Sequence, residues 1–179
     1  MKQTLQFAGW RLAFTVILGV ASVPMAGAQT YPERPIRAVQ GFAAGGNADT
    51  IARVVGTEMS KSLGQPLVIE AVTGAGGTLA SGTVARAAPD GYTMLLATGG
   101  HAVAGALFNK LPYDTLGSFQ MVSTVTYFPF LIVVRADSPW KALPDLLSAA
   151  RQSTDGVLYG SAGVGTTHHL AGELLARTA

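Results

Sequence analysis

Apolar and polar residues alternate in short blocks along the chain, and these blocks predict strands and helices in turn. Residues 36–42, 66–71 and 92–98 are short apolar runs of the kind that form buried strands. Between them, residues 48–63 carry apolar side chains at a helical period, and residues 78–88 predict a second helix of small residues. The first helix is marked by Ile51, Val54, Val55, Met59 and Leu63 on its apolar face and by Gly64 at its predicted end.

The pattern changes after Ser118. Residues 119–135 hold two extended apolar runs that are split near Pro129, which cannot donate a hydrogen bond to a central strand ladder. Two more helices and one short strand are predicted beyond this segment. The helices cover residues 143–151 and 167–179, and the strand covers residues 158–162.

Strands and helices that alternate with short connections predict an α/β fold with a mainly parallel sheet. The break at residues 118–129 predicts a crossing between two lobes. The chain stops within a predicted helix at Ala179, where the alternation predicts a further strand. We therefore expect the fold to be incomplete at its C-terminus.

The first 28 residues have the features of a secretory signal peptide. Lys2 and Arg11 supply positive charge, an apolar core follows at residues 12–23, and Ala26-Gly27-Ala28 offers a small-residue cleavage pattern. The apolar core is shorter than the roughly 20 residues of a membrane-spanning helix, which disfavours the alternative of an uncleaved anchor.

Charge and cysteine content narrow the classes of function. The leader carries two of the twelve Lys and Arg residues and none of the ten Asp and Glu residues, so the mature chain is formally neutral. No cluster of basic residues indicates binding to nucleic acid or to a membrane surface. The chain has no cysteine, which excludes disulfides, thiolate catalysis, cysteine-based zinc sites and a lipid anchor on cysteine. An exported protein of a bacterial periplasm fits these features.

Four glycine-rich loops follow predicted strands, and predicted helices begin at three of them, after residues 40–50, 73–78 and 161–169. The first N–H groups of a helix have no partner within the helix, and they favour an anion in front of them. In an open α/β sheet, such loops gather at the carboxyl ends of the strands, which is where ligands bind. The sequence therefore predicts an anion-binding cleft formed by residues 40–50, 73–78, 98–101 and 161–169.

No catalytic motif accompanies these loops. The phosphate-binding Walker loop, the dinucleotide fingerprint and the nucleophile elbow are all absent. A secreted α/β hydrolase or phosphoester enzyme is an alternative, but it lacks a recognisable nucleophile–base pair. His169 and Glu173 are four residues apart, and local bonding explains them better than a metal does, whereas His101 and His168 are candidates to line the cleft. We predict no catalytic residue, no metal site and no cofactor.

Six spaced motifs resemble one known family. They are YPERPIR at 31–37, F-x-A-G-G-x-x-D at 42–49, G-A-G-G at 74–77, A-P-D-G-Y-T at 88–93, K-L-P-Y-D at 110–114 and S-A-G-x-G-T-x-x-H-L-A-G-E-L at 161–174. Together they resemble the periplasmic solute receptors of the tripartite tricarboxylate transporter system, the Bug or TctC-like family. The resemblance covers the mature chain and corresponds to about the first half of a family member.

The resemblance implies a periplasmic-binding-protein-like (type II) α/β architecture with two lobes. On this basis residues 1–28 are a signal peptide, residues 29–125 a partial N-terminal lobe and residues 126–179 the beginning of a truncated second lobe. Such a receptor is not an enzyme. It captures a tricarboxylate, a dicarboxylate or a related small acid and passes it to membrane permease subunits. It is expected to be a periplasmic monomer, without nucleic acid and without membrane insertion after signal cleavage.

The resemblance also implies that main-chain N–H groups, hydroxyls and ordered water hold the ligand carboxylate. Three positions depart from the family pattern: Gly41 replaces a common proline, Val72-Thr73 replaces a common Arg-Pro, and His168 replaces a small hydroxyl residue. The implied ligand-binding residues are Phe42, Ala44, Gly45, Gly46 and Asp49 on one lobe, Thr78 and Thr98 on the floor, and Ala162, Gly163, Gly165, Thr166 and His168 on the other lobe.

Two expectations complete this interpretation. An extracytoplasmic sensor subunit that presents a bound carboxylate to a signalling partner would have the same sequence features as a transport receptor. A chain that supplies only half of a receptor should leave strand edges open and should bind its ligand poorly on its own.

Overall fold

The computed structural model describes residues 30–179, so the predicted signal peptide at residues 1–28 lies outside the described residues. Within that range a parallel sheet of three strands forms, with the strand order β2-β1-β3. The strands are β1 (Ile36–Gln40), β2 (Leu67–Ala71) and β3 (Thr93–Leu96). All three fall on the predicted apolar runs.

The central position of β1 follows from its composition. Ile36 and Val39 are fully buried, as expected for a strand that has neighbours on both edges. In the ladder, Arg37 lies opposite Val68 of β2 and opposite Thr93 of β3. The guanidinium of Arg37 also binds the carboxylate of Glu70 on β2, with Nη2 2.8 Å from Oε1.

The five helices within residues 30–179 begin close to the predicted positions, apart from one that the sequence pattern did not predict. That helix, α3 (Gly99–Leu107), starts at two glycines and consists mostly of small residues, so its periodicity is weak. A short 3₁₀ turn (Ala75–Gly77) precedes α2. The helices are α1 (Asn47–Leu63), α2 (Thr78–Ala85), α3 (Gly99–Leu107), α4 (Leu143–Gln152) and α5 (Thr167–Thr178).

Helix α1 packs on the sheet through small residues. The predicted apolar face is corrected at one position, Val54, because its other members, Ile51, Val55, Met59 and Leu63, are half-buried. Its buried residues are Asp49, Ala52 and Gly56, whereas Val54 is 63% exposed. A β-carbon at Gly56 would lie 3.3 Å from methyl groups of Leu67 and Ile69 on β2, so glycine allows the helix and the strand to approach closely. The predicted end is confirmed, because Gly64 adopts the left-handed conformation (φ 68°) after the last turn.

The prediction of strands at residues 119–135 and 158–162 is wrong for the structure as described. Neither segment contains a strand, and the large apolar side chains within residues 121–134 are exposed. A strand requires a neighbour that completes its ladder of hydrogen bonds, and in residues 30–179 no neighbour lies beside these segments. The apolar pattern is present, but its partner strands are not.

None of the helices within residues 30–179 combines the length and the apolar character needed to cross a membrane. Helices α4 and α5 contain no buried side chain. The packed core therefore lies in the sheet and in α1, α2 and α3, and it is this part that positions the glycine-rich loops.

Candidate functional site

The loop between β1 and α1 is held by the side chain of Gln40. This buried amide donates to the carbonyl oxygen of Phe42 at 2.9 Å and accepts from the N–H of Phe42 at 2.7 Å. Both hydrogen bonds fix the point where the chain leaves the sheet. The next residues, Ala44 and Gly45, are exposed, and Gly45 has a positive φ of 79° that favours glycine.

Asp49 supports the same loop from the first turn of α1. Its carboxylate accepts the N–H of Gly45 at 2.9 Å and two hydrogen bonds from Arg53, at 2.8 and 3.1 Å. Arg53 first, and the Gly45 amide second, lower the pKa of Asp49 below its usual range. The carboxylate of Asp49, which the sequence predicted to contact the ligand, therefore already accepts hydrogen bonds from the protein itself.

The first loop packs directly against the second one, at residues 73–78. A β-carbon at Gly41 would lie 2.5 Å from the Cα atom of Gly77, which is too close. The two backbones can approach this closely only because residue 41 has no side chain. The second loop itself bends through three glycines with positive φ, at Gly74, Gly76 and Gly77. Thr78, which follows it, is buried at the start of α2.

The second, third and fourth loops, at residues 73–78, 98–101 and 161–169, also contact one another. A β-carbon at Gly76 would lie 3.0 Å from the carbonyl oxygen of Gly165, and one at Gly100 would lie 2.9 Å from the carbonyl oxygen of Gly76. A β-carbon at Gly99 would lie 2.5 Å from the methyl group of Thr167. The prediction that the four glycine-rich loops gather at one edge of the sheet is therefore supported by direct backbone contacts.

Four helices begin at these loops. Gly46, Gly77 and Thr98 precede α1, α2 and α3, and none of these three helices has a side chain that caps its N-terminus. Thr166 precedes α5, where its hydroxyl accepts the N–H of His169 at 3.3 Å. The uncapped N–H groups carry partial positive charge, so the gathered loops provide a favourable environment for an anion.

A small pocket lies between the loops and the sheet. Its volume of about 10 Å³ matches a single water molecule, so a larger ligand would sit in front of it. Among its lining residues are Phe42, Thr98, Ser81 and His101. The pocket thus brings Phe42 and Thr98, two predicted contact residues, together with His101, a predicted candidate to line the cleft, and with Ser81, which the sequence did not assign to the site.

Ser81 and His101 form a buried hydrogen-bond chain. The ring Nε2 of His101 lies 2.9 Å from the carbonyl oxygen of Thr115 and must donate to it, and Nδ1 hydrogen-bonds the hydroxyl of Ser81, also at 2.9 Å. This is the contact of a nucleophile with its base, yet Ser81 is only 2% and His101 only 8% exposed. A substrate has no access to it. The pair is twenty residues apart in sequence, and only the fold shows the contact.

Of the ligand-contact residues predicted for the second lobe, some are buried in the structure and others are exposed. Gly165 and Thr166 are buried among the other loops, and Thr166 donates to the carbonyl oxygen of Gly163 at 2.7 Å. Ala162, Gly163 and His168 are exposed. The ring of His168 packs against Phe130, with centroids 4.5 Å apart, rather than against the other glycine-rich loops.

The other histidine of this region does not form a metal site in the described residues. Nε2 of His169 lies 3.9 Å from Oε1 of Glu173, and the hydroxyl of Tyr159 donates to the same carboxylate at 3.1 Å. Burial first, and Glu173 second, raise the pKa of Tyr159. Within residues 30–179 no group of three or more possible ligands could hold a metal ion.

The glycine-rich edge of the sheet combines uncapped helix N-termini with bare glycines, an arrangement that favours the binding of an anion. The family model described as "Tripartite tricarboxylate transporter family receptor" matches residues 51–179, and the chain belongs to this TctC family. The family match confirms the expectation that the chain belongs to a family of receptors and not to a family of enzymes.

Individual relatives agree with this assignment. The chain is 40% identical over 163 residues to a UPF0065 protein of Bordetella bronchiseptica, covering 90% of this chain and 48% of the relative. It superimposes with a TM-score of 0.72 and 43% identity on MatC (Rpa3494) from Rhodopseudomonas palustris with bound malate, covering 82% of this chain and 50% of MatC. It superimposes with a TM-score of 0.66 and 31% identity on R. palustris Rpa4515 with adipate, covering 81% and 49%.

These comparisons bear on the fold predictions in two ways. The periplasmic-binding-protein-like α/β fold is confirmed, because the solved structures that match share it. The chain spans about half the length of the relatives it matches. The lobe boundaries at residues 29–125 and 126–179 stay a prediction.

Proposed function

We propose that this chain forms the carboxylate-binding part of a periplasmic receptor that serves a tripartite tricarboxylate transporter. The observation that carries the proposal is the gathering of four helix N-termini at one edge of the sheet, with glycines in between. An acid that approaches this edge meets backbone N–H groups without a side chain in the way. Asp49, which lies beside the first loop, is neutralised by Arg53 and does not oppose an incoming anion.

Several hydrogen bonds of this kind are enough for useful affinity. A hydrogen bond to a charged group contributes roughly 1.5–3 kcal/mol, so a few of them can hold one carboxylate. The donors would be the amides of Ala44 and of the first turn of α1, because the N–H groups of Gly45 and Gly46 already bind Asp49 and the carbonyl oxygen of Ala43. Thr78 and Thr98 would lie beneath them, and the loop at Gly165 and Thr166 on the other side. The small pocket behind Phe42 has room for a water molecule that relays one of these bonds.

The relatives support a dicarboxylate as the ligand class. Malate and adipate, the ligands of the two matching solved structures, are both small dicarboxylates. Both relatives are more than 30% identical to this chain over about half of their own length. A dicarboxylate or tricarboxylate is therefore the class of ligand that we propose here, with the first carboxylate held at the helix N-termini.

The remaining parts of the proposal concern location and partners. Export through residues 1–28 would deliver the receptor to the periplasm, where it acts as a monomer. It then passes its ligand to the membrane permease subunits of the transporter. The family match supports this role, since the family is one of transporter receptors.

Ligand-detected saturation-transfer NMR tests the ligand class directly. Because the chain spans about half of a receptor, we expect weak binding of malate, adipate and citrate, with Kd values of about a millimolar. The uncharged diamide of malate is the matched control, and it should give no signal. Equal signals from the acid and the diamide, or none from any acid with the chain folded, would contradict the proposal.

A further inference from the structure

His101 is a buried titratable residue that the proposed ligand contacts do not use. It is only 8% exposed, and it forms part of the wall of the small pocket that Phe42 and Thr98 also line. Both ring nitrogens are hydrogen-bonded, Nε2 to the carbonyl oxygen of Thr115 and Nδ1 to the hydroxyl of Ser81, each at 2.9 Å. An imidazole that can change its charge therefore lies directly behind the place where we propose that the acid binds.

The partners of this ring accommodate both of its charge states. A carbonyl oxygen only accepts, so Nε2 carries a hydrogen whether the ring is neutral or charged. The change is confined to Nδ1, which accepts from the Ser81 hydroxyl in the neutral ring and donates to its oxygen in the charged ring. In the charged case the hydroxyl hydrogen needs another acceptor, and the carbonyl oxygen of Gly77 lies 3.3 Å from the Ser81 oxygen. Protonation of His101 thus requires one hydroxyl to turn and no movement of the backbone.

The residues in contact with the ring offer no negative charge. Tyr113 stacks on the ring of His101 with centroids 6.0 Å apart, and Phe119 lies perpendicular to it at 4.8 Å. Of these two neighbours only Tyr113 can titrate, and its buried hydroxyl has no hydrogen-bond partner among residues 30–179. In the same part of the chain, the hydrogen bonds of the imidazole go to Ser81 and Thr115 and to no carboxylate.

The charged and titratable groups on the surrounding elements do not supply a counter-charge either. Asp114 uses its carboxylate for two N–H groups of the turn that follows it, and Asp49 is ion-paired with Arg53. Arg86, just after α2, is itself a cation, and His168, in the first turn of α5, packs against an aromatic ring. A buried charge without an ionic partner is costly, so an anion that arrives beside the ring of His101 would stabilise its charged form.

We propose that the receptor takes up a proton at His101 when it binds its carboxylate ligand. The pocket has a volume of about 10 Å³, so about one water molecule separates the imidazolium from a carboxylate in front of the pocket. The two opposite charges attract more strongly here than in bulk water, because the surroundings are largely protein. Binding of the acid should therefore be stronger at low pH and weaker at high pH. This inference rests on the proposed function, since it concerns the acid held at the helix N-termini.

Proton uptake would also act on the second glycine-rich loop. Gly77 lies in this loop with a φ of 96°, and its Cα atom would be 2.5 Å from a β-carbon at Gly41 in the first loop. When the hydroxyl of Ser81 turns to the carbonyl oxygen of Gly77, it adds a hydrogen bond to this loop. The ligand, the proton and the geometry of the first two loops are then coupled through one hydroxyl.

Nitrogen-15 NMR of the histidine rings tests the proposal in the wild-type chain. The chain is labelled at its three histidines, and the signal of His101 is assigned by its loss in His101→Gln. Malate is added at about pH 7, where carboxylates are ionised. We expect the Nδ1 signal of His101 to move from the position of an unprotonated nitrogen toward that of a protonated one as malate saturates. The uncharged diamide of malate is the control and should leave the signal unchanged.

The affinity for malate at two pH values gives a second measurement. Saturation-transfer NMR should show that the wild type binds roughly fivefold or more tightly at about pH 6 than at about pH 8, a typical coupling between two sites. His101→Gln keeps a side chain that donates and accepts but cannot become charged, so its affinity should be the same at both pH values. His169→Gln is the matched control, because that ring faces Glu173 on its own helix, and it should keep the pH dependence. Urea unfolding checks that both variants fold, and the ring signals of the wild type decide the question without any variant.

Three results would overturn proton uptake at His101. They are equal affinity of the wild type for malate at both pH values, a pH dependence that His101→Gln retains, and a His101 signal that saturating malate does not change. In each of these cases malate still binds, and the proposed ligand class stands. Absence of malate binding by the folded chain at both pH values would instead overturn the ligand class, and proton uptake with it.

Discussion

The carboxylate of Asp49 accepts the N–H of Gly45 at 2.9 Å, and this contact ties the exposed glycine loop to the first turn of α1. Arg53 holds the same carboxylate from the following turn, through Nε at 2.8 Å. The loop that we propose to bind the ligand is thus positioned by the buried side chain of Asp49. Asp49 acts on the site through Gly45, and its own oxygens are already engaged.

Removing this support should loosen the loop. Asp49→Ala leaves the Gly45 amide without its acceptor, so hydrogen exchange at Gly45 should accelerate by roughly tenfold, the order expected from one hydrogen bond. NMR-detected exchange measures this at a single amide. Glu58→Ala is the control, because it removes the exposed ion pair with Lys61 near the other end of α1. Unchanged exchange at Gly45 in Asp49→Ala would show that the contact does not hold the loop.

The lowered pKa of Asp49 makes a prediction about acid stability. A carboxyl group whose pKa is lower in the folded state stabilises the fold fully above its unfolded pKa, about 3.9. That contribution is lost as the pH falls through the folded value. Glu70 and Asp114 also have lowered pKa values, through Arg37 and through the amides of Gly117 and Leu116. The wild-type chain alone therefore cannot isolate Asp49.

The comparison with Asp49→Asn isolates it. The difference in free energy of unfolding between wild type and Asp49→Asn should be constant from about pH 7 to about pH 5 and should shrink below about pH 4. Urea unfolding at several pH values measures it. A difference that stays constant to the acid limit would mean that the folded and unfolded pKa values of Asp49 are equal.

Gly41 is the residue that lets the first two loops touch. In Gly41→Ala the new methyl would lie 2.5 Å from the Cα of Gly77, and backbone cannot move away cheaply. We expect a loss of about 1–3 kcal/mol in the free energy of unfolding, the usual cost of overpacking. Gly160→Ala is a suitable control, since a β-carbon there meets no atom within 4 Å. Equal urea midpoints for the two variants would argue against the close contact.

The buried hydroxyl of Ser81 is predicted to be structural. Ser81→Ala leaves Nδ1 of His101 without its hydrogen-bond partner and should lower the free energy of unfolding by about 1–3 kcal/mol. Thr83→Ala on the same helix is the control, because its hydroxyl bonds an exposed turn of α2. Thermal unfolding measures the loss of stability, and a screen of ester substrates measures any catalytic activity. Ester turnover by the wild type that Ser81→Ala abolishes would instead assign catalysis to this pair.

Much of the structure around the three-stranded sheet could be predicted from the sequence, because the patterns that indicate these elements are local. The apolar runs of β1, β2 and β3, the helical period of α1 and the stop at Gly64 each depend on a few neighbouring residues. The gathering of the glycine-rich loops followed from a general property of parallel sheets, whose carboxyl ends share one edge.

Other features depended on contacts that no local pattern carries. Ala52 and Gly56 form the buried face of α1 because they are small, whereas a search for apolar periodicity selects larger residues such as Val54. The Ser81–His101 contact requires α2 and α3 to be side by side. The apolar runs at 119–135 were read correctly as hydrophobic, but a strand also needs a neighbouring strand, which the described residues do not place beside them.

The most direct measurement of the central claim is a map of amide shifts in ¹⁵N-labelled chain titrated with malate, for wild type and for Gly46→Val. Gly46 has φ −74° and ψ 173°, which valine can adopt, and a β-carbon there would lie 3.1 Å from the carbonyl oxygen of Ala43, so the variant adds methyl groups at the mouth of α1 against a close backbone neighbour. Gly160→Val serves as the control. We predict saturable shifts at the amides that begin α1, α2 and α3, and their loss in Gly46→Val alone. Shifts confined to the amides of lysine and arginine residues elsewhere, or a Gly46→Val response equal to wild type, would contradict the claim that exposed helix amides capture the acid.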